Sequence, residues 1–394
     1  MNGKAYHKAL LREWDLNYLW HPFTQMKEWW EWGPLFIERG EGNYLIDTEG
    51  NRYLDGVSSL WANVHGHGKA KIVDAIVAQA KELCHSTLLG LSHPPAALLS
   101  KALIEIAPGH LNWVFYSECG AASVEIALKM SYQYWKNQGE DRRIFVCLEE
   151  GYHGDTVGAV SLGGIELFHE IFRPLLFETI RLPSPYLFWK RGGYPWERAH
   201  EPLLEIYEEG IKSRAEEICA FIVEPLVQGA GGILPFPPNV LKGIRELCDK
   251  YNILMIADEV ATGFGRTGTM FACQQESVAP DLLCLGKGIT GGYLPLAATL
   301  TTDKVFNAFL GDYEELKTFY HGHTYTGNPV ACAAALANLE VFQEERTVET
   351  LKPKIDTITM WLEELRGHPR VGDIRQKGMM AGIELMEDPK SQRP

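Results

Sequence analysis

ILMIADEVATGFGRTG at 253–268 and LLCLGKGITGG at 282–292 decide the fold. Each opens on a short, almost purely aliphatic run, the pattern of a strand buried on both faces, and each then runs into charged and glycine residues. WVFYS (113–117), RIFVCLE (143–149) and AFIVEP (220–225) repeat the pattern, with helical stretches between them from about Lys69 onward. The alternation predicts an α/β fold with a doubly wound, mostly parallel sheet flanked by helices. In such a fold, ligands sit beyond the C-terminal ends of the strands.

Outward from this centre the pattern changes. The first sixty residues carry Trp14, Trp20, Trp29, Trp30 and Trp32. They also hold the β-like runs PLFIERG (34–40) and NYLIDTEGNRYLD (43–55), where Glu-Gly-Asn reads as a hairpin turn. An arm plus a small antiparallel unit is expected there. After Asn328, a long helix (PVACAAALANLEVFQEE), a polar helix and a strand pair in VGDIRQKGMMAGIELME read as a second domain. The expected division is 1–65 as arm and part of the small domain, 66–328 as the large domain, and 329–394 as the rest of the small α+β domain. PYLFWKRGGYPWERAHEP (185–202), rich in Pro and Gly, reads as a loop insertion over the sheet.

The bulk numbers narrow the function classes. A chain of 394 residues, 46% hydrophobic, can bury a large core and exceeds the usual size of one domain. Its net charge of −14, from 37 Lys+Arg against 51 Asp+Glu, argues against nucleic acid or an anionic membrane as partner, since both need a basic surface. The eight cysteines form no C-x-x-C pair, so neither a zinc ribbon nor a disulfide framework is expected. MNGKAYHKALLREWD has no apolar core of a signal peptide, and no apolar run reaches about 18 residues. A soluble cytoplasmic enzyme is the expectation.

Four strand ends carry chemistry. After WVFYS, Gly120, Ala121 and Ala122 open a helix, so their N–H groups form a ready phosphate site. After RIFVCLE come Tyr152 and His153, where an aromatic face can stack on a flat ring. Asp258 ends a strand too apolar to be solvated, and a buried carboxylate costs several kcal/mol without a partner. The ring nitrogen of pyridoxal 5′-phosphate (PLP) is such a partner, because an ionised Asp keeps that ring protonated and electron-withdrawing. Lys287 stands between two glycines after a strand, where a desolvated lysine can form a Schiff base. Each feature alone has a bland reading: a tight turn, a core tyrosine, a capping Asp, a surface lysine. Their ordered set points to one cofactor.

Two motifs compete with that reading. GFGRTG (263–268) is a literal G-x-G-x-x-G with Asp281 downstream, which raises a nicotinamide-dependent dehydrogenase. That fingerprint wants its glycines in the first turn after the strand, and here Asp258 to Thr262 intervene. The pairs His65/His67 and His321/His323 suggest a metal, but no third ligand is marked near either, so no metal is expected.

At WHPFTQM (20–26), SSLWANVHGH (58–67), GYHGDTVGA (151–159), EPLVQGAGG (224–232), IADEVATGFGRTG (256–268), CLGKGITGGYLP (284–295) and HGHTYTGNP (321–329) the sequence resembles the class III, fold-type I aminotransferases over nearly its whole length. The resemblance implies a PLP-dependent homodimer whose active sites are shared between subunits. It implies that Gly120 and Ala121 hold the phosphate, that Tyr152 meets ring and substrate, and that Glu224 and Asp258 line the ring's polar edge. Lys287 would be both covalent anchor and proton carrier. Thr324, with Gly322 and His323, would reach the partner's phosphate and substrate. Phe23, Leu60, Trp61 and Arg266 would fall in the substrate pocket. Within the class, WHPFTQM and SSLW resemble the branch that aminates a keto acid on the route to biotin, with S-adenosylmethionine or lysine as donor. The runner-up is the ω-amine and β-alanine:pyruvate branch, which shares the cofactor residues. Four departures stand out. Ala121 replaces a common Ser, Phe23 a Tyr and Leu60 a Trp, and the sequence ends at SQRP with no counterpart of the arginine that binds the acceptor carboxylate in relatives. Truncation, or another cation in that role, is the expectation from the last.

Overall fold

The computed structural model describes residues 8–387. The chain divides into two compact units, one made of the residues up to Ser59 with Gly66–Lys69, the other of Leu60–His65 with Ala70 onward.

In the first unit, helices Lys8–Tyr18 and Met26–Trp32 precede an antiparallel meander of β1 (Ile37–Glu41), β2 (Tyr44–Asp47) and β3 (Arg52–Leu54). Buried Asp15 explains part of the tryptophan content: Trp29 Nε1 donates to it at 2.8 Å, and His21 lies 3.1 Å from its other oxygen. The Glu-Gly-Asn turn joins β2 to β3 as expected. Asp47 fixes it by accepting from the Glu49 and Asn51 N–H groups, each at 2.8 Å.

The second unit is built on a seven-stranded sheet. Its strands are β4 (Leu111–Ser117), β5 (Ile144–Leu148), β6 (Thr179–Leu182), β7 (Ile218–Val223), β10 (Leu254–Asp258), β11 (Leu282–Leu285) and β12 (Ala297–Thr302). A small ribbon, β8 (Val227–Gln228) with β9 (Leu234–Pro235), intervenes in sequence. The spatial order is β4-β12-β11-β10-β7-β5-β6, with β12 antiparallel to both neighbours and β11 through β6 parallel. Strands β5, β7, β10 and β11 are buried at every position, which is why they read as unbroken apolar runs. The helix Gly120–Asn137 follows β4 and buries Val124, Ala127, Leu128 and Ser131, the face expected from sequence.

Helix Pro329–Glu344 is the long helix expected after Asn328, whose side chain accepts from the N–H groups of Val330 and Ala331 while Pro329 occupies the first turn. Helix Leu351–Leu365 and the hairpin of β13 (Val371–Lys377) and β14 (Met380–Leu385) complete the described chain. The stretch 185–202 differs from expectation, since Pro185–Gly192 is a helix and His200 begins another. Its Pro and Gly are start and stop signals: Pro185 stands at the first position and Gly193 closes the helix at φ +67°. Among the described residues, no helix is long and apolar enough to cross a membrane.

Candidate active site

The C-terminal ends of β4, β5, β7, β10 and β11 bring their chemistry to one place in the second unit. Asp258, the last residue of β10, is 4% exposed. Its Oδ1 accepts the Val260 N–H at 3.1 Å, and its Oδ2 lies 2.7 Å from His153 Nδ1, also buried. The buried carboxylate therefore has a partner within the chain, which sequence reasoning did not assign. The only signal was the placement of His153 directly after a strand, and the pair is 105 residues apart. Glu224, just beyond β7, accepts the N–H groups of Tyr152 at 3.0 Å and Gly229 at 2.8 Å. Burial pushes the Glu224 carboxyl up to about 7, with the Asp258 charge acting in the same direction.

Lys287 follows β11 at φ +44°, a left-handed conformation that an L-residue holds only where its surroundings enforce it. Its Nζ lies 4.9 Å from the centroid of the Trp61 ring. Burial lowers the Lys287 pKa, the guanidinium of Arg266 adds to that, and the carboxylates of Asp258 and Glu224 oppose it. A lysine amine so held is closer to the neutral, nucleophilic form at physiological pH. Arg266 donates to the Asn63 carbonyl at 2.9 Å. Tyr152 donates its hydroxyl to Asp155 at 2.7 Å, and burial, then that bond, raise its pKa.

Close backbone approach makes a cradle beside these groups. A Cβ on Gly120 would stand 2.5 Å from Val260 Cγ1, and one on Gly154, at φ +120°, would stand 2.4 Å from the Ala121 Cβ. Both positions need glycine. The first-turn N–H groups of Gly120, Ala121 and Ala122 have no intrahelical acceptor, as at every helix start. At the same strand end, Ser117 Oγ is buried without a hydrogen-bond partner among the described residues. An anion in this cradle would satisfy such donors and complement the helix dipole. The donor set fits PLP: N–H groups for its phosphate, a buried carboxylate for its ring nitrogen and a lysine for its carbonyl carbon.

Gly322, His323 and Thr324 line an open groove of about 1110 Å³ with His85, Tyr116 and Phe319. There His323 Nδ1 lies 2.5 Å from Glu118 Oε2. Leu60 and Phe23 are exposed, at 69% and 72%, and Phe23 belongs to the first unit. The segment Ser58–Trp61 is a single helical turn with φ values of +53°, +48°, +67° and +64°. Left-handed geometry costs an L-residue roughly 1–2 kcal/mol, so four in a row without glycine require firm anchoring. GFGRTG forms turns, not a helix start. Asp281 is occupied by Arg245 at 2.8 Å and the Met255 N–H at 2.8 Å, which removes the dinucleotide reading.

Comparison with known proteins agrees with this chemistry. Residues 27–393 match the family model described as aminotransferase class-III. The chain is 59% identical over 386 residues to the adenosylmethionine-8-amino-7-oxononanoate aminotransferase of Aquifex aeolicus, covering 98% of this chain and 85% of that protein. The crystal structure of the protein so named from Methanocaldococcus jannaschii superposes with a TM-score of 0.93 at 50% identity, over 98% of this chain and 86% of that one. An (S)-enantioselective ω-transaminase from Thermomicrobium roseum superposes with a TM-score of 0.94 at 37% identity, over 99% and 87%. A lysine, two buried carboxylates and a phosphate cradle at the strand ends thus accompany likeness over nearly the whole chain. This chain belongs to the class III aminotransferases, which are PLP-dependent transaminases.

Proposed function

We propose that this protein transfers an amino group to 8-amino-7-oxononanoate, giving 7,8-diaminononanoate in biotin biosynthesis. The observation that carries the reading is the Lys287 amine, desolvated between Trp61 and the carboxylates of Asp258 and Glu224, in a chain 59% identical to a relative of that name. In this reading Gly120 and Ala121 supply N–H groups to the phosphate, and Asp258, steadied by His153, answers the ring nitrogen. Tyr152 and Glu224 bound the ring and substrate space. Bound PLP supplies an electron sink that lets a hydrogen on the amine-bearing carbon leave as a proton. Lys287 would take that proton and return it to the carbon on the far side of the nitrogen, and Trp61 would keep water off its amine. The two half-reactions run through the same residues in opposite directions, the first with the donor and the second with the acceptor.

The proposal includes a cytoplasmic homodimer in which Gly322, His323 and Thr324 serve the partner's site. It also includes a large domain, 66–328, with a small domain built from both chain ends. Leu60, Trp61, Tyr152 and Arg266 form the substrate pocket within the second unit. Incubating the purified protein with PLP, 8-amino-7-oxononanoate and a panel of amines tests the reading, with 7,8-diaminononanoate as the expected product. Amination of pyruvate by ω-amines without that product would replace the biotin reading with the ω-transaminase one. PLP at 100-fold its Kd should stabilise the protein by about 2.7 kcal/mol in thermal unfolding. NAD and NADP should not shift the transition, and a nicotinamide-dependent rise would restore the dehydrogenase reading.

The donor is S-adenosylmethionine or lysine. A sulfonium and an adenine favour aromatic walls, and a Leu in place of Trp at position 60 loses about 0.5–2 kcal/mol of attraction for a cation. Leu60→Trp is therefore expected to move the ratio of kcat/KM values toward S-adenosylmethionine by up to roughly tenfold. An unmoved ratio would show that position 60 does not select the donor.

A further inference from the structure

Helix Pro329–Glu344 buries a face of alanines with Cys332, Val341 and Phe342, and a single amide interrupts it. Asn338 is fully buried there. An amide in an apolar core costs free energy unless its polar atoms are answered, and a leucine of similar size would serve the packing without that cost. The donors of Asn338 are answered far away in sequence. Its Nδ2 donates to the carbonyls of Gly288 at 3.0 Å and Ile289 at 3.1 Å, 50 and 49 residues earlier in the chain. Two acceptors facing one atom fix the orientation of the amide, because only its NH2 group donates twice. The Oδ1 end lies 2.6 Å from where a Gly291 Cβ would stand and has no hydrogen-bond partner among the described residues. The acceptor is left unused while both donors reach the same turn.

That turn is Lys287–Thr290, which follows β11 and starts on the lysine at φ +44°. Its own bonds are few: the Ile289 N–H donates to the Gly286 carbonyl and the Gly291 N–H to that of Gly288, each at 3.0 Å. Phe264 packs on it so closely that a Cβ on Gly288 would stand 2.8 Å from the Phe264 Cβ. An L-residue keeps left-handed geometry only where contacts from outside the turn over-determine it, and such strain clusters where a side chain must be aimed. We propose that Asn338 is a positioning residue, which clamps the Gly288 and Ile289 carbonyls and so holds the turn that aims the Lys287 amine at the Trp61 ring. It acts through the backbone and not on the reacting atoms. The helix, the turn and Trp61 all belong to the second unit. This inference rests on the reading of Lys287 as the reacting amine.

The test uses the PLP-loaded full chain well below its unfolding temperature, and reads kcat and KM separately together with the circular dichroism induced in the visible band of the cofactor, which needs no substrate. Asn338→Leu is similar in size and has no donor. It is expected to lower kcat about tenfold or more with KM nearly unchanged, because a misaimed reacting group loses rate and not affinity, and to alter the induced dichroism. Asn338→Asp keeps shape and polarity but turns its oxygens toward both carbonyls, so it should show the same losses, and it decides the matter if Asn338→Leu folds poorly. Val341→Ala controls for stability alone. Val341 is buried with Ile72, Ala334 and Ala337, so its truncation should lower the unfolding temperature and leave kcat and the dichroism as in the wild type. Wild-type kcat and dichroism in both Asn338 variants, with only a lowered unfolding temperature, would overturn the positioning role. So would an equal loss of kcat in Val341→Ala, which would make the effect one of helix packing. An Asn338-dependent dichroism in a chain that forms no 7,8-diaminononanoate would support the positioning role and overturn only the proposed acceptor.

Discussion

Lys287→Ala is expected to reduce transamination by at least roughly 10⁴-fold, the scale seen when a residue that is both nucleophile and proton carrier is removed. Asp258 and Glu224 are the two carboxylates that act on the Lys287 amine. The cradle of Gly120, Ala121 and Gly154 is untouched by the substitution, and so is the carboxylate of Asp258. PLP should therefore still raise the unfolding temperature of the variant while its visible absorbance changes. Steady-state rates and a thermal melt with and without PLP make the check. Retention of a tenth or more of the wild-type rate would remove Lys287 from the chemistry.

The second large effect is expected at Asp258. Asp258→Asn keeps the shape of the side chain and a possible bond to His153 but removes the negative charge. A protonated pyridine nitrogen then loses its counter-charge in a site where screening by water is weak. Loss of one such preorganised electrostatic partner costs about 10²-fold or more in rate. The fall should appear in kcat for both half-reactions, since both depend on the same electron sink, and single-turnover rates with donor alone would measure it directly. A near-normal rate would reduce Asp258 to a cap on the Val260 N–H.

Much of this site was legible because buried parallel strands have a plain signature. The runs ending at Asp258 and before Lys287 are aliphatic on both faces, so the first charged residue after each had to sit at a strand end. β12 left no such mark: AATLTT is small and half polar, and nothing local marks it as an antiparallel strand inserted between β4 and β11. The helix at 185–192 is hidden because Pro and Gly read locally as breakers, while their positions are those of a start and a stop. The His153–Asp258 pair joins the ends of β5 and β10, which have β7 between them in the sheet, and no local pattern encodes that meeting. The left-handed turn at Ser58–Trp61 was the least legible feature, since SSLW contains no glycine and yet all four residues have positive φ. Local chemistry told which residues stand at the strand ends, while contacts distant in sequence decide how they are aimed.

The central claim is that the strand ends assemble a PLP site around one lysine. Borohydride reduction of the loaded protein, followed by proteolysis and mass mapping, fixes the cofactor to whichever amine it is bonded to. The account predicts one label per chain, on the peptide that carries Lys287, and loss of that label when a donor amine is added before reduction. A label on another lysine, or none despite a visible cofactor band, would contradict it.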